Sequence, residues 1–217
     1  MQFNKEIKNL YQEGFFHVFI GEFLSKGISF ISSIIIIRLL TINEYAHLSF
    51  VNNLYSYVGL FSGMGLSYSL LKYMDKKKQD YINKAYLRFT LKIGIIFQFA
   101  ITAILMSYVM LSEIPFPESR TLIYFFVFMP IITYIMENLL AVIRAYQMNK
   151  TYAYLNIFQT LLIMILTIIL VFSVRVYSVP IARYISLIIA ISILIFVLKK
   201  TIFISDGEYI LTKNQKK

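Results

Sequence analysis

The sequence of 217 residues contains no cysteine, and only 15% of its residues are charged. The absence of cysteine excludes a disulfide-stapled secreted domain and a thiolate metal site. A soluble domain is usually about one quarter charged and about half apolar, whereas 59% of these residues are hydrophobic. Together with a mean hydropathy of +0.70, this composition excludes a soluble globular enzyme.

Apolar residues fall in six runs of 20 to 24 residues, and a helix needs about 20 to cross a bilayer. The runs are 15–37, 48–71, 93–112, 121–143, 151–174 and 176–198. Because backbone groups in lipid must bond internally, runs of this length predict helices. The alternation that marks an outer-membrane strand is missing. The sequence therefore predicts an all-α polytopic membrane protein with six transmembrane helices.

Basic residues are distributed unequally between the two sides of these spans. Sixteen lysines and arginines fall in the segments that lie on the same side of the membrane as the N-terminus. Only Arg38, Arg120 and Arg175 fall in the loops on the opposite side. Since basic loops stay in the cytoplasm, both termini are predicted to be cytoplasmic. This bias also explains the net charge of +10, so we expect no nucleic-acid partner.

Two polar segments flank the predicted membrane domain, which covers residues 15–198. Residues 1–14 place apolar side chains on one helical face and charges on the other, which predicts an amphipathic helix on the inner membrane surface. Residues 199–217 predict a polar cytoplasmic tail that is too short for a domain. The first apolar run is longer than a signal-peptide core and carries charges, so we expect it to remain as a span.

Four charged side chains lie inside the spans, where a charge is costly and usually faces the bundle interior. They are Glu22, Lys26, Glu137 and Arg183. At 1.5 Å per residue, Glu22 and Glu137 lie about 10 Å and about 9 Å from the cytoplasmic edge, hence at matching depth. Arg183 fits an interface anchor and a cavity lining equally well, because a long arginine can extend toward the headgroups.

The face that carries Glu22 and Lys26 continues through Ser29, which gives the first span a polar stripe. One interpretation is a water-filled cavity, with Lys26 for an anionic substrate and the carboxylates for ions or protons. The other is a static ion pair between Glu22 and Lys26, since they stand four residues apart in the favourable order. The serines beside the charges favour the cavity.

The second span is uncharged but carries polar and small residues along one face. Asn52 suits a hydrogen bond to a neighbouring helix or to a neutral sugar. Gly59 and Gly63 form a small-xxx-small pair, which predicts close packing against another helix. In the fourth span, Pro130 predicts a kink.

Enzyme chemistry has little support in this sequence. The histidines are His17 and His47, and neither stands beside a nucleophile motif or a second ligand at metal spacing. There is no glycine-rich phosphate loop after a strand, and no filter-like loop between spans. We therefore expect a protein that is not an enzyme and that uses no cofactor and no metal.

Short motifs near the predicted spans carry a resemblance to a known family. They are Lys26-Gly27-Ile28-Ser29-Phe30, Arg38-Leu39-Leu40-Thr41, Asn43-Glu44-Tyr45, Gly63-Met64-Gly65-Leu66, Arg144-Ala145-Tyr146 and Asn149-Lys150-Thr151-Tyr152. In order and spacing they resemble the polysaccharide-biosynthesis flippases, which are the O-antigen and capsule repeat-unit flippases of the multidrug/oligosaccharidyl-lipid/polysaccharide exporter superfamily. Ala46 stands where that family usually has glycine.

The resemblance implies a substrate and a location. The substrate would be an undecaprenyl-pyrophosphate-linked oligosaccharide, moved by alternating access to the outer leaflet of the bacterial cytoplasmic (inner) membrane. A cationic cavity suits such an anion, and Lys26 and Arg183 match that chemistry. Family members have two six-helix lobes, and this chain resembles the N-terminal lobe. We therefore expect membrane lipids and either a second six-helix lobe or a second copy of this chain as partners.

Two other functions stay open at this point. A multidrug or small-cation exporter on the same scaffold fits as well by charge, because two acids and two bases lie inside the spans. A truncated remnant without transport activity, or a structural subunit of a polysaccharide-assembly complex, would also explain the length of the chain.

Overall fold

The computed structural model describes residues 15–74, 80–111, 113–114 and 116–202. Across these residues every regular element is helical, which confirms the all-α fold class. The predicted surface helix at 1–14 and residues 203–217 of the predicted tail lie outside the described residues.

Eight α-helices and two short 3₁₀ segments follow one another along the described chain. The α-helices are α1 Phe15–Leu39, α2 Ile42–Leu60, α3 Leu66–Tyr73, α4 Asp80–Leu111, α5 Ser119–Phe125, α6 Met129–Ala145, α7 Asn149–Val174 and α8 Ser178–Ile202. The 3₁₀ segments Ser62–Gly65 and Arg175–Tyr177 join α2 to α3 and α7 to α8. Over the described residues, each predicted span therefore consists mainly of helix, but the second and fourth are each divided between two helices.

Four stretches of the described chain are long and apolar enough to cross a membrane: Phe16–Leu39, Tyr81–Leu111, Ser119–Ala145 and Asn149–Lys199. The last has 51 residues and contains both α7 and α8, each longer than the about 20 residues that a span requires. The predicted second span is not among the four, and its helix stops and restarts at Ser62–Gly65. The count of six spans and the orientation of the termini stay predictions.

Helix α1 packs along α7 and leaves much of its own surface exposed. At Gly21 the two backbones approach so closely that an added Cβ atom would lie 2.8 Å from the Cβ atom of Ala153. Ser25 and Ser32 follow Gly21 on the same helical face and are also buried. Small residues thus allow the contact with α7, whereas large side chains such as Phe23 stay exposed.

Three consecutive residues in the left-handed region interrupt the second predicted span. Gly63, Met64 and Gly65 have φ angles of 52°, 52° and 73°, a region that is sterically unfavourable for residues with a Cβ atom. Gly59, one turn earlier, meets nothing within 4 Å when a Cβ atom is added. The predicted close helix contact at Gly59 is therefore wrong.

The ring of Tyr134 fills the space that two glycines leave open. Gly63 lies against the Cδ2–Cε2 edge of this ring, and Gly94 of α4 lies against Cε1 and the hydroxyl. Tyr134 is fully buried, and its hydroxyl donates to the carbonyl of Thr90 at 2.8 Å. The interruption in the second span, α4 and α6 therefore pack together around one side chain.

The fourth predicted span is divided near Pro130. Helix α5 ends at Phe125 and α6 begins at Met129, which places Pro130 in the first turn of α6. Proline suits that turn because its missing N–H is one that the helix leaves unbonded. Gln98 of α4 links this interruption to the other one: its Nε2 donates to the Pro130 carbonyl at 3.3 Å, and its Oε1 accepts from the Gly63 N–H at 3.4 Å.

A capping box begins α2 and connects it to the turn between α7 and α8. Thr41 Oγ1 accepts from the N–H of Glu44 at 3.3 Å, and Glu44 Oε2 accepts from the N–H of Thr41 at 2.8 Å. Glu44 also accepts from Nε of Arg175 at 3.0 Å and from its Nη2 at 2.8 Å. Arg175 has a φ of 50°, so this bidentate pair holds a strained residue in place. The hydrogen bond from Arg175 lowers the pKa of Glu44 below its ordinary value.

We expect the substitution Glu44→Gln to reduce the acid sensitivity of the fold. Because the pKa of Glu44 is lowered on folding, its carboxylate stabilises the protein above the unfolded-state pKa of about 4.3. That stabilisation is lost as the pH falls through the lower folded-state pKa. Thermal unfolding in detergent, measured from neutral pH to about pH 2, should therefore depend less steeply on pH in E44Q than in the wild type.

The control for this prediction is Glu113→Gln, which changes an exposed carboxylate between α4 and α5. E113Q should lose stability with falling pH as steeply as the wild type does. If E44Q also follows the wild-type curve, the pair with Arg175 contributes nothing to stability.

Candidate functional site

Three adjoining cavities open between the helices. Their volumes are about 440 Å³ for the first cavity, about 520 Å³ for the second and about 280 Å³ for the third. The first and second share Gly59, Ser62 and Glu137, and the second and third share Asn52 and Arg183. Because neighbouring cavities share these wall residues, the cavities adjoin one another, and polar or charged side chains stand where they meet.

Arg183 of α8 lies where the second and third cavities meet. Its Nη1 donates to Oδ1 of Asn52 on α2 at 2.9 Å, and its guanidinium carbon lies 5.5 Å from the centre of the Phe126 ring. Among the described residues no carboxylate lies within 4.0 Å of this guanidinium. The remaining N–H groups of Arg183 are therefore open to an anionic ligand or to water.

Glu137 of α6 lies where the first and second cavities meet. Its Oε2 accepts a hydrogen bond of 2.9 Å from the hydroxyl of Ser62, which begins the left-handed interruption of the second span. The side chain is exposed to the cavities. A carboxylate and an arginine, Glu137 and Arg183, thus line the same second cavity.

Glu22 of α1 reaches the first cavity through Tyr152 of α7. The Tyr152 hydroxyl donates to Oε1 of Glu22 at 2.5 Å, and the guanidinium of Arg144 lies 5.2 Å from the centre of the Tyr152 ring. Tyr152, Arg144 and Glu137 all line the first cavity. The two carboxylates predicted at matching depth are therefore associated with the same cavity.

The polar stripe of α1 runs past the same cavities. Ser29 and Ser33 line the third cavity, while Glu22, about two and three turns away on the same face, contacts Tyr152. Lys26 lies between Glu22 and Ser29 on this face and is exposed. Its ammonium is more than 4.0 Å from the carboxylate of Glu22, so the static ion pair is not formed among these described residues.

Comparison with known protein families identifies the family of this chain. A protein-family model described as "Polysaccharide biosynthesis protein" matches residues 12–217. The chain belongs to this polysaccharide biosynthesis family. The family resemblance seen in the sequence motifs is thereby confirmed, and the apolar helices make the chain a membrane protein of this family. Comparisons with curated proteins and with solved structures found no match.

In this family member, the cavities bring together most of the residues that the sequence singled out. Asn52, Glu137 and Arg183 share the second cavity, and Ser29 faces Asn52 and Arg183 across the third. Lys26 is exposed and lines none of the three cavities. Asn52 makes the predicted interhelical hydrogen bond, and it does so to a charged residue at a cavity wall.

Three further wall residues were missed by reasoning from the sequence. Gln98, Ser62 and Tyr152 are polar or aromatic but uncharged, and such residues are common enough in spans to attract no attention. One signal was available for Gln98, since it is the single amide side chain in the third apolar run, 93–112. A buried amide without a partner would be costly in a membrane, so it must serve a neighbouring group.

His47 lies at the other end of α2, beside Ser119 and Glu118. Its Nδ1 is 2.9 Å from the Ser119 hydroxyl, and its Nε2 is 3.2 Å from Oε2 of Glu118. Ser119 is fully buried, so its hydroxyl is not accessible to a substrate in this structure. Within the described ranges, no three histidine or acidic side chains are placed to hold a metal ion.

Proposed function

We propose that this chain exports a lipid-linked oligosaccharide repeat unit across the bacterial cytoplasmic membrane, as one lobe of a flippase. The observation that carries the proposal is Arg183, a guanidinium at the junction of two cavities whose described partners are an amide and an aromatic ring. Membership of the polysaccharide biosynthesis family supports the same substrate class.

The chemistry of Arg183 suits the diphosphate that links such a sugar to its lipid. A guanidinium binds phosphate oxygens through two parallel N–H groups, and these bonds are stronger where water is excluded. A positive charge inside the membrane is costly unless something compensates it. An anionic substrate compensates it when bound, which would favour binding of a diphosphate over binding of a neutral sugar alone.

The topology proposed for this function has six spans with both termini in the cytoplasm. It is supported by the distribution of basic residues in the sequence. A unit with an even number of spans can be followed by a second unit of the same orientation. The three cavities would then form one wall of a transport path, and a second lobe or a second copy of this chain would form the other.

A working form of two lobes has a direct test. Cross-linking in native membranes, followed by mass spectrometry, should detect either a dimer of this chain or a complex with a second six-span protein. Recovery of the chain only as a monomer under conditions that preserve other membrane complexes would contradict the two-lobe proposal.

Transport itself is tested in proteoliposomes that contain the chain with its second lobe, or the chain alone as a dimer. A fluorescent undecaprenyl-diphosphate oligosaccharide is placed in the membrane, and its exposure is followed with a membrane-impermeant quencher. We expect movement between leaflets that empty liposomes do not show. Transport of a lipophilic cation and not of this substrate would identify a drug exporter, as the exposed carboxylate Glu137 would favour. If neither the lipid-linked oligosaccharide nor the cation moves, the chain is a structural subunit or a remnant without transport activity.

A further inference from the structure

Arg144 lies in the last turn of α6 and forms part of the wall of the first cavity. Its side chain is exposed, and its guanidinium carbon lies 5.2 Å from the centre of the Tyr152 ring. Within the part of the chain that the structure describes, no carboxylate comes within 4.0 Å of it. Arg144 therefore resembles Arg183 in its surroundings: each guanidinium contacts an aromatic ring and lines a cavity.

The ring beneath Arg144 is held in a fixed position. Tyr152 is buried, and its hydroxyl donates to Glu22 of α1 at 2.5 Å. Three helices thus contribute to one arrangement, with Glu22 from α1, Tyr152 from α7 and Arg144 from α6. When a guanidinium lies over a fixed aromatic ring, less conformational entropy is lost on binding, and its edge N–H groups stay available to two oxygens of one phosphate.

We propose that Arg144 forms a second phosphate-binding site, at which the diphosphate of a lipid-linked substrate binds before it reaches Arg183. Tyr152 and Glu22 are positioning residues for this site. The proposal rests on the proposed function, because it names a second site on the same transport path.

The wall residues that the first two cavities share support a path from Arg144 to Arg183. The first cavity, which Arg144 lines, shares Ser62 and Glu137 with the second cavity, which Arg183 lines. Because Glu137 lines both cavities, a diphosphate moving between the two arginines would come close to its carboxylate. Repulsion by this carboxylate would keep an anion from resting between the two sites, so two separate sites are expected.

The test is binding of farnesyl diphosphate to the purified full chain in an uncharged detergent, measured by isothermal titration calorimetry. We expect two sites per chain in the wild type. Arg144→Gln should weaken one site at least about tenfold, because it removes a bidentate charge-assisted contact. Arg183→Gln should weaken the other site. Arg88→Gln, which changes an exposed arginine on α4 outside the three cavities, should keep both.

Substitutions of Tyr152 test the positioning role. Tyr152→Phe keeps the ring but loses its hydrogen bond to Glu22, so it should weaken the Arg144 site slightly. Tyr152→Leu removes the ring and should weaken that site more, though less than R144Q does, because the guanidinium remains. The melting temperature of each variant in detergent reports whether the fold is retained. Equal affinity at this site for Y152L and Y152F in folded protein would overturn the positioning role.

The outcomes separate this site from the proposed function. Two unchanged sites in R144Q would overturn the inference. The wild type could instead show a single binding site that R144Q loses and R183Q keeps. That result would support the Arg144 site and would contradict diphosphate binding at Arg183, on which the proposed function rests. If phosphatidylglycerol nanodiscs bind in an Arg144-dependent way and farnesyl diphosphate does not displace that lipid, the site takes a phospholipid headgroup and the diphosphate assignment is overturned.

Discussion

Gly63→Ala is expected to destabilise the protein more than alanine at any other glycine of its region. The new Cβ atom would overlap the ring of Tyr134, and overpacking of this kind costs about 1–3 kcal/mol. The residue would also keep a φ of 52°, which costs an L-residue roughly 1–2 kcal/mol. The sum, about 2–5 kcal/mol, is a large part of the stability of a typical domain.

Three matched variants separate the overlap from the backbone strain. Gly94→Ala creates the overlap with Tyr134 inside a regular helix, and Gly65→Ala keeps a left-handed residue with nothing within 4 Å. Gly59→Ala has neither problem and should be neutral or stabilising by up to about 1 kcal/mol. Unfolding by titration with sodium dodecyl sulfate, followed by circular dichroism, should rank G63A as the least stable. Equal midpoints for G63A and G59A would contradict the packing described for Tyr134.

Arg183→Gln is expected to lower transport of the lipid-linked oligosaccharide by about 10- to 100-fold. The glutamine can still bond Asn52, but it cannot offer two charge-assisted N–H groups to a diphosphate. A hydrogen bond from a neutral amide is worth about 1 kcal/mol less than a charge-assisted one, and two such bonds account for a loss of this size. Arg183→Lys keeps the charge without the planar fork and should retain an intermediate rate. The rate is measured with the fluorescent substrate in proteoliposomes, at equal amounts of inserted protein.

Two controls show whether this loss is specific to the site. Arg88→Gln removes an exposed arginine outside the cavities and should transport at the wild-type rate. Asn52→Ala removes the one described hydrogen bond of Arg183 and leaves its charge, so its rate should fall less than that of R183Q. Wild-type transport by folded R183Q would remove the main support for a diphosphate substrate.

The helices themselves could be predicted from the sequence, because hydrocarbon allows few alternatives to a helix for long apolar runs. The interruptions could not be predicted with the same rules. Gly63 forms the pattern of helix-packing glycines with Gly59, and only the structure gives the positive φ angles of Gly63 and Gly65 and the ring of Tyr134 beside Gly63. Pro130 indicated a disturbance of the fourth span, but a division into two helices depends on tertiary contacts such as that with Gln98.

The site was predictable from some of the charges inside the spans, although Lys26 lines none of the three cavities. Glu137 and Arg183 are candidates because a charge inside the membrane is energetically costly, and both line the second cavity. The partners of these residues could not be predicted, since a single sequence does not say which helices are neighbours. The one partner that the sequence offered for Glu22 was Lys26 on the same helix, in the less favoured of two interpretations, whereas its hydrogen bond goes to Tyr152, 130 positions away.

Gln98 also limits how the wall of the cavities can move. Its single amide group bonds both the 3₁₀ interruption of the second span and the start of α6. The two breaks in the helices are therefore held by the same side chain. A rotation at Gly63 that lengthened the first bond would also turn the amide away from the carbonyl of Pro130. We therefore expect α3 and α6 to change orientation together, which leaves this helix bundle with fewer independent motions than it has breaks in its helices.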